Sequence, residues 1–351
     1  MSQTIPVRKG EEIDVDVISK YLFSNLNDLP KNTLEIEQFS AGSSNLTYVI
    51  KCGEWQGVLR RPPFGPLPPK AHDMEREYEV LRKLSTVFPL VPKPYILCRD
   101  KEVIGAPFYI MERVEGVTLE DDPHAENNLT IEDKQHISNL MVDAMVELHN
   151  VDYKKAGLEN IGYTNGFIER QLKNWVARNH KYKIEDIPEV DNIIKWLESH
   201  VPKPQQPTLI HNDFKINNVL FSDDLREVNA ILDWEMATIG DPLFDLGTTL
   251  SYWFEENDSD LIKGSLRMPT AQPGFISRRE FLDKYSKKTG RDVSSFKFYM
   301  ILSYFKIAVA MLQIYYRYAT GQTKDPRFKG AHKSAKNLMI YAESLVHNKD
   351  I

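Results

Sequence analysis

Apolar residues recur at helical spacing near the start of the chain. Val15, Ile18, Leu22 and Leu26 mark one face of a helix predicted over 13–26. The pattern then shifts to strands. Leu34–Phe39, Asn45–Lys51 and Trp55–Arg60, with Gly53-Glu54 turning between the last two, predict an antiparallel meander. Arg61–Pro69 is too rich in proline for a helix or an inner strand and reads as a rigid loop of the same lobe. A helix follows over 72–87, its inward face set by Met74, Tyr78, Leu81 and Leu84. Glu77 falls on that face too, and an inward carboxylate needs a partner. Arg60, ending a strand on the same side as Val58, is the candidate.

After a strand at Phe108–Met111 the pattern becomes mainly helical. Thr130-Ile131-Glu132-Asp133 has the form of a capping box, and Ile137, Leu140, Met141, Ala144, Met145 and Leu148 continue the helix it opens. His149 reads as a structural residue closing that helix, and Glu120-Asp121-Asp122 with Glu126 as a solvated acidic loop. Three short apolar runs at 208–210, 219–221 and 228–232 interrupt the helices. Ser222-Asp223-Asp224 turns the last two into a hairpin. Phe298–Tyr316 is long and apolar enough to span a membrane, but Ser303, Lys306, Gln313 and Arg317 recur along one stripe. A lysine at mid-span costs about 2.5–3.5 kcal/mol in lipid, so a buried helix of a soluble lobe is predicted instead.

The candidate chemistry lies around those short runs. His211-Asn212-Asp213 ends the first, Asn218 enters the second, and Asp233 leaves the third. Asn218 and Asp233 therefore fall at the open end of the hairpin, with Asp213 just upstream. Phosphoryl transfer uses this set: an Asp to orient and deprotonate a hydroxyl, and an Asn and an Asp to hold Mg²⁺ against nucleotide phosphates.

His-x-Asp-x-x-x-x-Asn over 211–218 resembles the catalytic loop of the protein-kinase superfamily. Ile231-Leu232-Asp233-Trp234-Glu235, Gly240-Asp241-Pro242 and Asp245-Leu246-Gly247 are similar to the aminoglycoside phosphotransferase and choline kinase branch. Val58-Leu59-Arg60-Arg61-Pro62-Pro63, Ala71-His72-Asp73-Met74 with Arg76-Glu77-Tyr78, and 315–323 resemble the kinase-like module associated with acyl-CoA dehydrogenases. The resemblance runs from about Phe39 to Phe328.

It implies an α+β, two-lobed protein-kinase-like fold: a nucleotide-binding lobe over 1–111 with a small antiparallel sheet, a hinge at 112–116, and a helical lobe over 117–351. ATP and Mg²⁺ are the implied cofactors. Asp213 would be the catalytic base and Lys215 would neutralise charge on the transferring group. Asn218 and Asp233 would bind metal. Ser43 and Ser44 would cap the phosphates, and Arg60 paired with Glu77 would brace them, Arg standing where kinases carry Lys. Main-chain groups of Glu112 and Val114 would meet the adenine, and Asp245 would anchor the catalytic loop. His211 would be architectural.

Only seven residues separate Asp233 from Asp241, too few for an activation segment, so a small-molecule acceptor is expected rather than a protein. A hydroxyacyl-CoA ranks first, with a functional link to an acyl-CoA dehydrogenase. Aminoglycoside, choline and sugar acceptors stay open, as does a catalytically silent nucleotide-binding module.

The 351 residues, 42% of them hydrophobic, suffice for one large domain or two lobes. A net charge of −6, from 44 basic and 50 acidic residues, gives no electrostatic case for nucleic acid. Two distant cysteines, Cys52 and Cys98, and an N-terminus without a signal-peptide core point to a reduced, cytoplasmic setting.

Overall fold

Alternating apolar residues build a six-stranded antiparallel sheet in the order β1-β2-β3-β4-β6-β5. Its strands are β1 (Thr4–Ile5), β2 (Leu34–Phe39), β3 (Leu46–Cys52), β4 (Trp55–Arg61), β5 (Pro94–Cys98) and β6 (Phe108–Glu112). The register pairs Thr47 with Arg60 and Arg60 with Tyr109, and Val49 with Val58 and Val58 with Met111. Because side chains alternate across a strand, Arg60 shares a face with Val58, as the sequence requires. On the opposite face Tyr48, Ile50, Leu59, Phe108 and Ile110 join Ile18 and Leu22 of α1 (Val15–Asn25) in one core. The helix α2 (Met74–Leu84) buries Met74, Glu77, Val80, Leu81 and Leu84, whereas Tyr78 is only half-buried. A single turn, α3 (Lys101–Ile104), ends at the left-handed Gly105.

The computed structural model describes residues 4–40, 45–64, 72–119, 129–266, 268–323 and 326–348. Ser43, Ser44, most of the proline-rich stretch, Ala71 and the acidic residues 120–122 and 126 lie outside them. The chain forms two compact units, the first being Met1–Gly116 with Lys154–Leu158 and Asn229–Met236. The two later segments belong there for evident reasons. Lys83 Nζ donates to the Gly157 carbonyl at 2.7 Å, the Ile231 N–H to the Leu90 carbonyl at 2.8 Å, and Trp234 packs edge-on against Phe88. Asp233 is thereby part of the first unit.

The second unit takes 117–153, 159–228 and 237–351. It is mainly helical: α4 (Ile131–His149), α5 (Phe167–Tyr182), α6 (Glu189–Ser199), α7 (Pro242–Ser251), α8 (Asp260–Lys263), α9 (Arg278–Thr289), α10 (Phe296–Ala319) and α11 (Ala331–His347). Thr130 and Asp133 close the expected capping box on α4. The strands β7 (Thr208–Ile210) and β10 (Thr238–Gly240) pair antiparallel. A turn closed by the Ser222 N–H on the Glu227 carbonyl, at 3.0 Å, joins β8 (Val219–Phe221) to β9 (Val228–Ile231).

By length and composition α10 could cross a membrane, yet 72% of its apolar window is buried, against α11, α7, α5 and α6. It passes close to α7 at Gly247, where a Cβ would stand 2.9 Å from the Tyr299 carbonyl oxygen and 3.0 Å from Ser303 Oγ. Gly247→Ala is expected to push the two helices apart and cost about 1–3 kcal/mol, read as a lower thermal midpoint. An unchanged melt would show that their spacing is slack.

Candidate active site

In the second unit the chain between β7 and β8 is tied down almost atom by atom. Asn212 has φ 68°, in the left-handed region that asparagine tolerates better than most residues. The amides of His211 and Asn212 both donate to the Asp245 carboxylate, each at 2.7 Å. His211 Nδ1 accepts the Asp213 N–H at 3.2 Å, which assigns the proton of the neutral ring to Nε2. The Phe214 carbonyl accepts from Thr249 Oγ1 at 2.7 Å.

Asp245 lies in the first turn of α7, a helix capped by Asp241, whose carboxylate accepts the Leu243 N–H at 2.9 Å. Burial pushes the Asp245 carboxyl up, but the bonds from His149 and the His211 amide outweigh it, holding it below the ordinary aspartate value. His149 Nε2 sits 3.2 Å from Asp245, and its Nδ1 meets the Tyr285 hydroxyl at 2.7 Å. His149 is thus structural: it closes α4 and steadies the carboxylate that grips the loop. Asp245 anchors the loop backbone as expected.

Asp213 emerges from this frame half-buried, with Lys215 Nζ 2.9 Å from its carboxylate. Asn218 ends a 3-10 turn (Ile216–Asn218), and its Nδ2 donates to the Asp213 carbonyl at 2.9 Å and carboxylate at 3.0 Å. That commits the amide nitrogen and leaves Oδ1 as the atom able to ligate a cation. Asp213, Lys215 and Asn218 are therefore brought together. Lys306, buried on α10, adds a contact that periodicity alone does not reveal: it donates to the Asn212 carbonyl at 3.0 Å and to Thr248 Oγ1 at 3.1 Å.

In the first unit Arg60 is the centre of a second cluster. Its Nε lies 3.2 Å from Glu77 on α2, its Nη2 contacts Asp233, and Glu235 is 4.0 Å away. The pairing of Arg60 with Glu77 expected from the inward helix face is present. Three carboxylates, those of Glu77, Asp233 and Glu235, thus face the Arg60 guanidinium. Burial, abetted by Asp233 and Glu235 and resisted by Arg60, pushes the Glu77 carboxyl up to about 7. The same carboxylates keep Arg60 charged despite its burial.

Asp233 has φ 67°, a conformation Asp accepts at turns. Around it, Glu235 Oε2 accepts from Asn45 Nδ2 at 2.9 Å, Asn45 Oδ1 meets His72 Nδ1 at 2.8 Å, and Arg76 donates to the Glu235 carbonyl at 2.9 Å. Hard oxygen donors with negative charge in excess suit Mg²⁺. Glu112 ends β6 with its N–H on the Lys93 carbonyl at 2.8 Å, and Val114 follows half-buried in an irregular segment.

The sequence model of the phosphotransferase enzyme family matches residues 35–281. Acyl-CoA dehydrogenase family member 10 of Mus musculus is 31% identical over 336 residues, covering 95% of this chain and 31% of that protein, so the chain spans about a third of its length. A Ralstonia eutropha protein provisionally termed an aminoglycoside phosphotransferase has a similar structure, with TM-score 0.79, 27% identity, and 96% and 99% of the two chains covered. A thermostable mutant aminoglycoside phosphotransferase in ternary complex with AMP-PNP and hygromycin B shares the fold, with TM-score 0.62, 16% identity, and 93% and 98% covered.

Two predictions follow from the clusters. Asp245→Asn removes the paired acceptor of the His211 and Asn212 amides and is expected to cost on the order of 3 kcal/mol in a urea titration; a loss below about 1 kcal/mol would mean the loop is held by other means. For Glu77, the folded carboxyl binds its proton more tightly than the unfolded one. Wild-type stability should therefore fall, relative to Glu77→Gln, as pH rises from about 4.5 to about 7. Melts of both proteins at pH 5 and pH 8 in metal-free buffer measure this, and a constant difference would contradict it.

Proposed function

The chain belongs to the phosphotransferase enzyme family, and from that premise we propose that it is an ATP-dependent small-molecule kinase. The carrying observation is Asp213, presented on a backbone fixed on both sides, with Lys215 and Asn218 against its carboxylate. In the proposed reaction Asp213 accepts the proton of a substrate hydroxyl while the oxygen–phosphorus bond forms. The bond from γ-phosphorus to its bridging oxygen breaks and ADP leaves with that electron pair. Lys215 counters charge on the group in transit.

We assign Asn218 and Asp233 as ligands of Mg²⁺, which when bound neutralises phosphate charge. Arg60, fixed by Glu77, orients Asp233 and supplies positive charge toward the phosphates. For Ser43 and Ser44 we propose a role at the phosphates, and for the main-chain groups of Glu112 and Val114 a role at the adenine, as the family resemblance implies.

A small acceptor is supported by the path after Asp233. Trp234–Met236 forms a 3-10 turn with Trp234 buried, and β10 and α7 follow at once, which leaves no room between Asp233 and α7 for an activation segment that docks a protein. For the acceptor we propose a hydroxyacyl-CoA, which the name of the mouse relative supports. The reading includes a cytoplasmic location and a functional link to an acyl-CoA dehydrogenase.

The test is an ADP-release screen with MgATP across hydroxyacyl-CoAs, aminoglycosides, choline and sugars. Hydroxyacyl-CoA is expected to stimulate release, and Asp213→Asn to lower turnover by about 10²–10⁴-fold while still binding ATP. Nucleotide binding without transfer to any acceptor would sink the enzymatic reading.

A further inference from the structure

Lys306 stands inside a helix whose buried window is otherwise almost wholly apolar. Its two hydrogen-bond partners are a carbonyl and a hydroxyl, and its Nζ lies 5.0 Å from the centre of the Phe244 ring. Neither partner is a carboxylate, so no direct ion pair offsets the burial of the ammonium. The charged groups facing it are Asp213 and Lys215 on the loop, Asp245 on α7 and Arg178 on α5. Burial, resisted by Asp213 and Asp245, brings the Lys306 ammonium down to about 8 from its usual 10.5.

The unfolded chain thus holds this proton more tightly than the folded one. The ammonium subtracts from stability below pH 8, and the deficit fades as pH rises toward 10.5. Stability gives no evident reason for a charge here, since its burial is costly and no direct ion pair offsets it.

The contact it makes does. The peptide unit joining Asn212 to Asp213 has its carbonyl on Lys306 at 3.0 Å and its N–H on His211 Nδ1 at 3.2 Å. Asn212 is left-handed, and rotating the following peptide plane changes the torsion that aims the Asp213 side chain. Asp245 fixes the chain only up to the Asn212 amide. Gly247 lets α10 come close enough to α7 for Lys306 to reach Thr248 and the loop.

We propose that Lys306 is a positioning residue for phosphoryl transfer, locking the 212–213 peptide plane and hence the direction of Asp213; this rests on Asp213 being the base.

The test uses the full chain and three variants. ADP release from MgATP is measured with a medium-chain hydroxyacyl-CoA and, separately, with water as acceptor, alongside thermal melts and hydrogen exchange of the 209–216 segment. Lys306→Met should lower kcat about tenfold or more with KM for ATP within about twofold, without lowering Tm. Exchange at 211–214 should quicken about tenfold while the rest of the second unit is unchanged. Lys306→Arg should recover most of kcat. Thr248→Val, which removes one of the two acceptors and keeps the charge, should give a smaller loss in the same direction even where Lys306→Met folds poorly.

Wild-type kcat and loop exchange in Lys306→Met would overturn the proposal, as would a loss of Tm with exchange quickened throughout the unit. A wild-type protein that releases no ADP with either acceptor defeats the hydroxyacyl-CoA reading, and the exchange measurement then still decides whether Lys306 orders the loop.

Discussion

One buried carboxylate organises the second unit. Asp245 accepts two consecutive main-chain amides in a fully buried setting, and a buried charge is tolerable only when its lone pairs are met this completely. His149 supplies a third bond and Tyr285 steadies His149 in turn. What the arrangement secures is the backbone on which Asp213 stands, so three helices, α4, α7 and α9, converge on the orientation of one side chain.

The two ionic clusters differ in a way that suits different tasks. Asp213 has Lys215 Nζ against its carboxylate and is held by Asn218, so its side chain is aimed from both sides. Around Arg60 the balance is uneven: three carboxylates face its guanidinium, and burial, abetted by Asp233 and Glu235, raises the Glu77 carboxyl. An uneven cluster has affinity for added positive charge, and a balanced one does not. Asn45, His72 and Arg76 extend the first cluster into β3 and the start of α2, tying the Asp233 turn to the elements that flank it.

Much of this was readable in the chain. The meander, the α2 face carrying Glu77, the capping box on α4 and the spacing from His211 to Asn218 are local patterns, and each survives folding because burial on one face follows directly from period. The Arg60–Glu77 pair was readable because an inward charge demands an opposite one nearby. The division of the chain was less so, since 154–158 and 229–236 join the first unit through hydrogen bonds, ion pairs and a ring contact between distant positions that no composition shift announces. Tyr78 was expected on the inner face of α2 and is half-buried, with Val80 in the core instead.

The sequence by itself determined which side chains could do chemistry, because residue type and short spacing are properties of the chain. Tertiary structure alone decided what holds them. Lys306 reads as one member of a polar stripe on an apolar helix, and only the close passage of α10 over Gly247 turns it toward the Asn212 carbonyl. Glu235 reads as the residue after a tryptophan until Asn45 and Arg76 meet it from distant positions. Hydrogen bonds between residues 94 or 190 positions apart are set by packing angles between elements, and those angles leave no period in the sequence.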